Sequence, residues 1–295
     1  MTLLLNVVRA RSEDIIIFIT PMMSILLTLI IIPLVYSLWI SLCELNLGTQ
    51  SYLTPNFIGL SNYIKIFTDT KTWNSFAITL EFVSISLLLE LGLGLLLALA
   101  LSRIPRGATF YKTVFLLPLT IAPALAAALF KSMLNNDFGV VNRLMEALGF
   151  QGVNWLSDPN IIIFVFVLLD LWQNTPFAIL VFYAGLNSIP RPIYDASELD
   201  GASSFQILRH ITFPLLKRIF LIVVIVRGLT LFQTFDYVHV LTGGGPGYSS
   251  QFISWTLYIY WIRLFNFGVA SALSWIILLL SIPFILYFFK FIIEG

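Results

Sequence analysis

Side chains able to do chemistry are sparse in this 295-residue chain, and most lie in apolar surroundings. Its two histidines, His210 and His239, and its one cysteine, Cys43, form no Ser/His/Asp, Cys/His or metal-ligand set, and no G-x-x-x-x-G-K-[ST] phosphate loop occurs. The run Gly243-Gly244-Gly245-Pro246-Gly247 has no lysine after it and reads as a flexible turn. Charges do occur inside long apolar stretches: Glu90, Asp170, Arg227 and Asp236, with Glu81 nearer an end. A charge at a bilayer centre costs about 2.5–3.5 kcal/mol on insertion scales, so such groups face a cavity or a partner. Arg227 and Asp236 lie about 13 Å apart along a helix and cannot pair with each other. Asp170, next to Trp172, Gln173 and Asn174, marks a polar, aromatic patch, whereas Glu90 shares a face with Gly94 and Ala98 and reads as structural.

The elements that must position these groups follow from composition. Residues are 59% hydrophobic and only 11% charged, with a mean hydropathy of +0.94. Soluble domains carry about 25% charged residues, so the chain reads as an integral membrane protein. A net charge of +1 excludes a nucleic-acid binder, and one cysteine excludes a disulfide scaffold. Six stretches approach the ~20 apolar residues that cross a bilayer: about 15–43, 76–101, 113–130, 161–186, 219–241 and 264–289. Backbone groups in lipid must be satisfied internally, so all six are expected to be helices in one transmembrane domain spanning residues 1–295. Arg9 and Arg11 precede the first stretch, as in a signal peptide, but its length predicts an uncleaved span.

Ten basic residues flank the spans on the side of the termini: Arg9, Arg11, Arg103, Arg106, Lys112, Arg191, Arg209, Lys217, Arg218 and Lys290. The other side carries five, Lys65, Lys71, Lys131, Arg143 and Arg263, which places both termini in the cytoplasm. After the glycine run, Phe252, Trp255, Ile259 and Ile262 fall at helical spacing. A short helix on the outer interface is expected there, with Trp255, Tyr258, Tyr260 and Trp261 as an aromatic belt.

One cytoplasmic loop, about 190–214, differs from the rest. Pro190 and Pro192 suit the first turn of a helix, leaving 193–200 as a short helix with Asp195, Glu198 and Asp200. Gly201 can take the left-handed conformation that ends it, and Ser203 or Ser204 can cap the next helix, where Phe205, Leu208 and Ile211 share a face. Two short helices meeting at a glycine beneath the membrane make a docking surface.

Asp195-Ala196-Ser197-x-x-Asp200-Gly201-Ala202, followed by Ile211-x-x-Pro214, resembles the "EAA" loop of permease subunits in binding-protein-dependent ABC importers. More narrowly, the chain is similar to carbohydrate-uptake permeases of the MalF type. Phe57-Ile58-Gly59-Leu60-x-Asn62-Tyr63, Gly139-x-x-Asn142, Asn154-Trp155-Leu156, Ala184-Gly185-Leu186-x-x-Ile189-Pro190, Phe235-Asp236 and Leu241-Thr242-Gly243-Gly244-Gly245-Pro246 carry the resemblance along nearly the whole chain. It implies an all-α type I importer permease fold, a second homologous permease, two copies of a P-loop ATPase and an extracytoplasmic sugar-binding protein. It also implies a bacterial inner or archaeal plasma membrane, with ATP and Mg bound by the ATPase and no cofactor on this chain. Asp195, Ala196, Ser197, Glu198, Asp200, Gly201, Ala202, Phe205, Ile211 and Pro214 would then seat the ATPase. Asp195 replaces the family's leading Glu and Ser197 its second Ala.

On that resemblance, Asp170, Trp172, Gln173, Asn174, Tyr183, Gln233, Asp236 and Tyr237 become a lining for a sugar path, since planar polar groups bind hydroxyls and aromatic faces bind C–H surfaces. Hydrogen bonding that merely holds the bundle together is the alternative for these residues. Arg227 would hold either a carboxylate of the partner permease or the substrate. The rival functions are a permease for another solute, such as glycerol phosphate, and an ion-coupled secondary transporter using Asp170, Asp236 or Glu90. Missing repeat symmetry with paired broken helices disfavours the second.

Overall fold

The structure is a computed structural model that describes residues 19–47, 55–104 and 107–294. Arg9, Arg11, Arg106 and the first four residues of the expected first span lie outside the described residues. Four helices are long and apolar enough to cross a membrane: α1 (Ile19–Ser41), α3 (Thr70–Ser102), α7 (Ile162–Ser188) and α13 (Phe267–Glu294). Between the first two lie α2 (Ser61–Thr68) and a two-residue antiparallel ladder of β1 (Cys43–Glu44) with β2 (Asn56–Phe57).

Two expected spans are broken. Helix α4 (Ala108–Leu116) ends in a 3₁₀ turn at Thr120, and the chain then turns by 91° into α5 (Pro123–Met133). The cause is local: Pro118 and Pro123 lack an N–H, and Pro123 drives Ala122 out of the helical region to φ −60, ψ 136. The stretch expected at 219–241 is α10 (Phe213–Phe232) followed by a separate turn of helix, α11 (Asp236–Leu241). Counting the bent pair as one span gives five by length and composition among the described residues. Helix α10 carries three basic side chains, Lys217, Arg218 and Arg227.

The chain divides into two units. In the first, Met1–Thr68 with Tyr258–Ile277, buried Asn62 caps the end of α1. Its amide donates to the carbonyls of Ser41 (2.9 Å) and Cys43 (2.8 Å), which have no helical partner. Trp261, half exposed, belongs to a π turn over Ile259–Arg263 that precedes α13.

The second unit, Asp69–Leu257 with Leu278–Gly295, is built on α3 against α7. A Cβ at Gly94 would lie 2.6 Å from that of Ala178, so only glycine allows this approach. Ala98, Ala178, Phe182, Leu216 and Val223 close the core below. Above, Phe82 stacks on Phe252 at 4.7 Å and Phe166 lies 5.1 Å from the same ring. Helix α6 (Val140–Ala147) is pinned by Asn142, whose amide exchanges hydrogen bonds with the Val153 backbone and accepts from Trp155 Nε1 at 2.9 Å.

Two expectations fail in this unit. The glycine run is cross-braced and not flexible: Thr242 Oγ1 meets Ser250 Oγ at 2.7 Å, and Ser250 donates to the Gly245 carbonyl. Gly244, at φ +93, presses on Trp255, where a Cβ would come within 2.6 Å of the indole nitrogen. Trp255 itself, on α12 (Ile253–Tyr258), is therefore buried beneath the turn and does not join an interfacial belt.

Candidate functional site

The elbow between α7 and α10 is specified residue by residue. Helix α8 (Arg191–Leu199) begins after Pro190, with Pro192 in its first turn. It ends in a Schellman motif: Gly201 N–H donates to the Glu198 carbonyl and Ala202 N–H to that of Ser197, both at 3.0 Å. Gly201 is left-handed at φ +77, and a Cβ there would meet nothing within 4 Å. Ser203 then caps α9 (Ser204–Ile207) through a complete capping box, its N–H donating to Gln206 Oε1 at 2.7 Å. Helix α9 passes without a break through a π turn, Leu208–Thr212, into α10. Pro214 cannot donate to the His210 carbonyl, which accounts for the slip from α to π pairing there.

Within the elbow, buried Ser197 donates to the Tyr194 carbonyl at 2.7 Å, and Tyr194 Oη meets Thr212 Oγ1 at 3.3 Å, tying α8 to the π turn. Asp195, Ala196, Glu198, Asp200, Gly201 and Pro214 are exposed, and Ala202 and Ile211 are half-buried. The apolar tip is more exposed still: Leu199 is 89% and Phe205 67% accessible. Leu199 is absent from the docking residues expected from sequence, although its place just before the glycine is a usable signal. Arg103, Arg191, Asn187 and Tyr194 are among the residues lining a cavity of about 510 Å³ behind the elbow.

The second candidate region is a buried polar centre on α3, α7, α10 and α11. Glu90 is fully buried and Asp170 nearly so, and both pair with Arg227. Arg227 Nη2 lies 2.7 Å from Glu90 Oε1 and 3.0 Å from Asp170 Oδ1, and Nε donates to Glu90 Oε2 at 2.9 Å. Its Nη1 donates to Thr230 Oγ1 at 2.8 Å. The partner of Arg227 is thus within this chain, which corrects both expected assignments, and Glu90 is an ionic residue of the centre. Asn174 Nδ2 donates to Asp170 Oδ1 (2.8 Å) and to Tyr237 Oη (3.0 Å). Tyr237 in turn donates to Gln173 Oε1 (2.9 Å), and Gln173 Nε2 donates to the Ile121 carbonyl (2.6 Å).

Of the eight residues expected along a path, four are therefore brought together: Asp170, Gln173, Asn174 and Tyr237. They bond to one another and to the backbone, as the interhelix alternative expects. Trp172 is exposed and lies 5.5 Å from the Phe130 ring. Gln233, which ends α10, and Asp236, which starts α11, lie outside the network. Tyr183 lies about 14 Å beyond Asn174 along α7, half-buried beneath the Lys112 ammonium at 4.6 Å. Among the described residues no group of His, Cys, Asp and Glu could hold a metal ion.

Residues 14–294 match the family described as "Binding-protein-dependent transport system inner membrane component". The chain is 34% identical over 272 residues to the trehalose/maltose transport system permease protein MalF of Thermococcus litoralis, covering 92% of this chain and 91% of that one. It is 32% identical to the sulfoquinovosyl glycerol transport system permease protein SmoG of Agrobacterium fabrum, covering 88% and 83%. A chain from the crystal structure of a bacterial ABC transporter involved in the import of the acidic polysaccharide alginate superposes with a TM-score of 0.84 at 19% identity, covering 98% of this chain and 99% of that one.

Proposed function

Since this chain belongs to the family of binding-protein-dependent transport system inner membrane components, we propose that it is the permease subunit through which an ABC importer moves a sugar into the cell. A di- or oligosaccharide fits the trehalose and maltose named for one relative. The chain itself is a transport subunit and not an enzyme. A separate P-loop ATPase, present in two copies, binds ATP and Mg and hydrolyses the nucleotide. A second homologous permease completes the pathway, and an extracytoplasmic sugar-binding protein delivers the substrate. The biased distribution of basic residues supports a multi-pass orientation with both termini cytoplasmic, in a bacterial inner or archaeal plasma membrane.

The observation that carries this reading is the elbow. Its backbone is locked by a Schellman motif and a capping box, yet its tip offers Leu199 and Phe205 to solvent. A surface that is ordered, apolar at its centre and rimmed by Asp195, Glu198 and Asp200 is built to be covered by a partner with an apolar groove and a basic rim. The small Ala196 and Ala202 and the bare Gly201 let a second backbone approach closely. Helix α9 continues into α10 for about 35 Å before reaching Arg227, so a displacement of the elbow is delivered to the salt-bridged centre. Nucleotide closure of the ATPases would thereby shift the spans between inward- and outward-facing populations. Trp172, Gln233 and Asp236, with Tyr183 lower down, line the sugar path, and Asp170, Gln173, Asn174 and Tyr237 support it.

An ion-coupled transporter is disfavoured at two of its three candidate carboxylates, because Glu90 and Asp170 are both engaged by Arg227, which leaves Asp236 alone for that role. The test is a mild-detergent pull-down of the tagged chain from its own host's membranes, with mass spectrometry of the proteins that co-purify. A P-loop ATPase and a second permease support the importer. Recovery of the chain alone, or only with copies of itself, refutes it.

A further inference from the structure

Ile121 is the residue at which the bent span α4–α5 changes direction, with φ −83 and ψ 133. Pro123 has no N–H, and the amides of Leu125 and Ala126 both turn back to the Ala122 carbonyl. The Ile121 carbonyl is therefore left outside the helical ladder, in a stretch where lipid offers it no donor. It is met by Gln173 Nε2 at 2.6 Å, from a side chain only 3% exposed.

The direction of that amide is fixed at a distance. The Arg227 guanidinium can only donate, so Asp170 can only accept. Asn174 Nδ2 supplies the second donor to Asp170 and also donates to Tyr237 Oη. Tyr237 must then give its own proton to Gln173 Oε1, and this turns Gln173 Nε2 toward Ile121. Asp170 accepts from both sides, and from Asn174 onward every bond points toward the bend. The same guanidinium is bound to Glu90 on α3. Helix α11, which carries Tyr237, also holds the far end of α5, where Lys131 Nζ donates to the Val240 carbonyl at 2.7 Å.

We propose that Gln173 is a positioning residue for transport, a latch through which the Glu90–Arg227–Asp170 centre sets the angle between α4 and α5. On the import reading, which this inference presupposes, elbow motion reaches Arg227 through α10, and the polar chain passes it on to the bend. Gln173 need not touch sugar or nucleotide to do this. The latch is closed in the conformation described here and opens in the opposite-facing one, so that the bend relaxes in step with the ATPases.

The test uses the assembled importer, with both permeases and ATPases, in proteoliposomes. A spin-label pair at Phe110 on α4 and Leu129 on α5, both exposed, reads the bend, and ATP–Mg²⁺ trapped with vanadate is the probe, so no sugar need be known. The unmodified complex should give one inter-label distance without nucleotide and a second when trapped. Gln173→Leu should give the same broad distribution in both conditions, with basal ATP hydrolysis raised on the order of fivefold, as expected for one lost hydrogen bond to a buried carbonyl. Tyr237→Phe leaves Gln173 in place but frees its amide to turn, and should broaden the distances less; it carries the test should Gln173→Leu fail to insert. Two sharp, nucleotide-dependent distances in a well-inserted variant would overturn the proposal, as would lowered thermal stability with distances unchanged. Failure of the unmodified chain to assemble with the ATPases would instead refute the import reading.

Discussion

Replacing Arg227 with methionine is the most demanding perturbation of this fold. Methionine nearly fills the volume but removes the cation shared by Glu90 and Asp170, whose oxygens lie 2.7 and 3.0 Å from the same Nη2 atom. The two carboxylates are then separated by roughly 5 Å, and at an effective dielectric of about 20 their repulsion comes to ~3 kcal/mol. Mutational experience with buried ion pairs gives a similar cost, about 3–5 kcal/mol for removing one partner. A thermal midpoint lowered on the order of 10 °C is expected for a protein of this size. Fluorescence-detected size exclusion after heating, in one detergent and at one protein concentration, measures it. The informative comparison is Arg227→Met combined with Glu90→Gln and Asp170→Asn. Both carboxylates are neutral in the triple variant, so it should recover at least half of the lost stability although it carries more substitutions. A triple variant less stable than Arg227→Met alone would refute the electrostatic account, and so would an Arg227→Met protein that melts with the unmodified chain.

Other outcomes are expected at the elbow and in the core. Leu199→Ser should leave the melting of the isolated subunit unchanged, since the side chain is 89% exposed, and should reduce co-purifying ATPase about tenfold as an interface anchor is lost. Gly201→Val places a β-branched residue at φ +77, a strain of roughly 1–2 kcal/mol; ATP-driven uptake should fall far more than membrane insertion, while Gly201→Asn, which tolerates that conformation, should retain most of it. Gly94→Val forces α3 away from Ala178, where even a Cβ would be 2.6 Å away, and should lower stability by about 1–3 kcal/mol in the same melting assay.

How much can be read from the chain alone depends on how local the determining interactions are. The elbow is legible almost to the residue because its signals act within four positions: proline at the helix start, glycine at its end, and Ser203 with Gln206 at the next cap. The polar centre is legible only as a set of misplaced charges. Glu90 and Arg227 are 137 positions apart, and nothing in either span's composition reveals the rotation that turns them toward each other. The bend at Ile121 is hidden for a related reason. Pro118 and Pro123 announce a disturbance of the third span, but its magnitude depends on whether a donor from another helix can satisfy the freed carbonyl, and Gln173 is that donor. The glycine run misleads in the opposite direction: its composition suggests freedom, while Thr242, Ser250 and Trp255 remove it.

The bareness of the elbow tip also bears on how many copies of the chain a cell can tolerate. On the import reading, a subunit made in excess of its ATPase would hold Leu199 and Phe205 uncovered in the cytoplasm, an apolar patch of the kind that chaperones and proteases recognise. The elbow is folded by its own capping bonds before any partner arrives, so an orphan copy would differ from an assembled one by that patch being open. Docking would hide the mark, and subunit stoichiometry could be kept by selective turnover of unpaired chains without any control at synthesis.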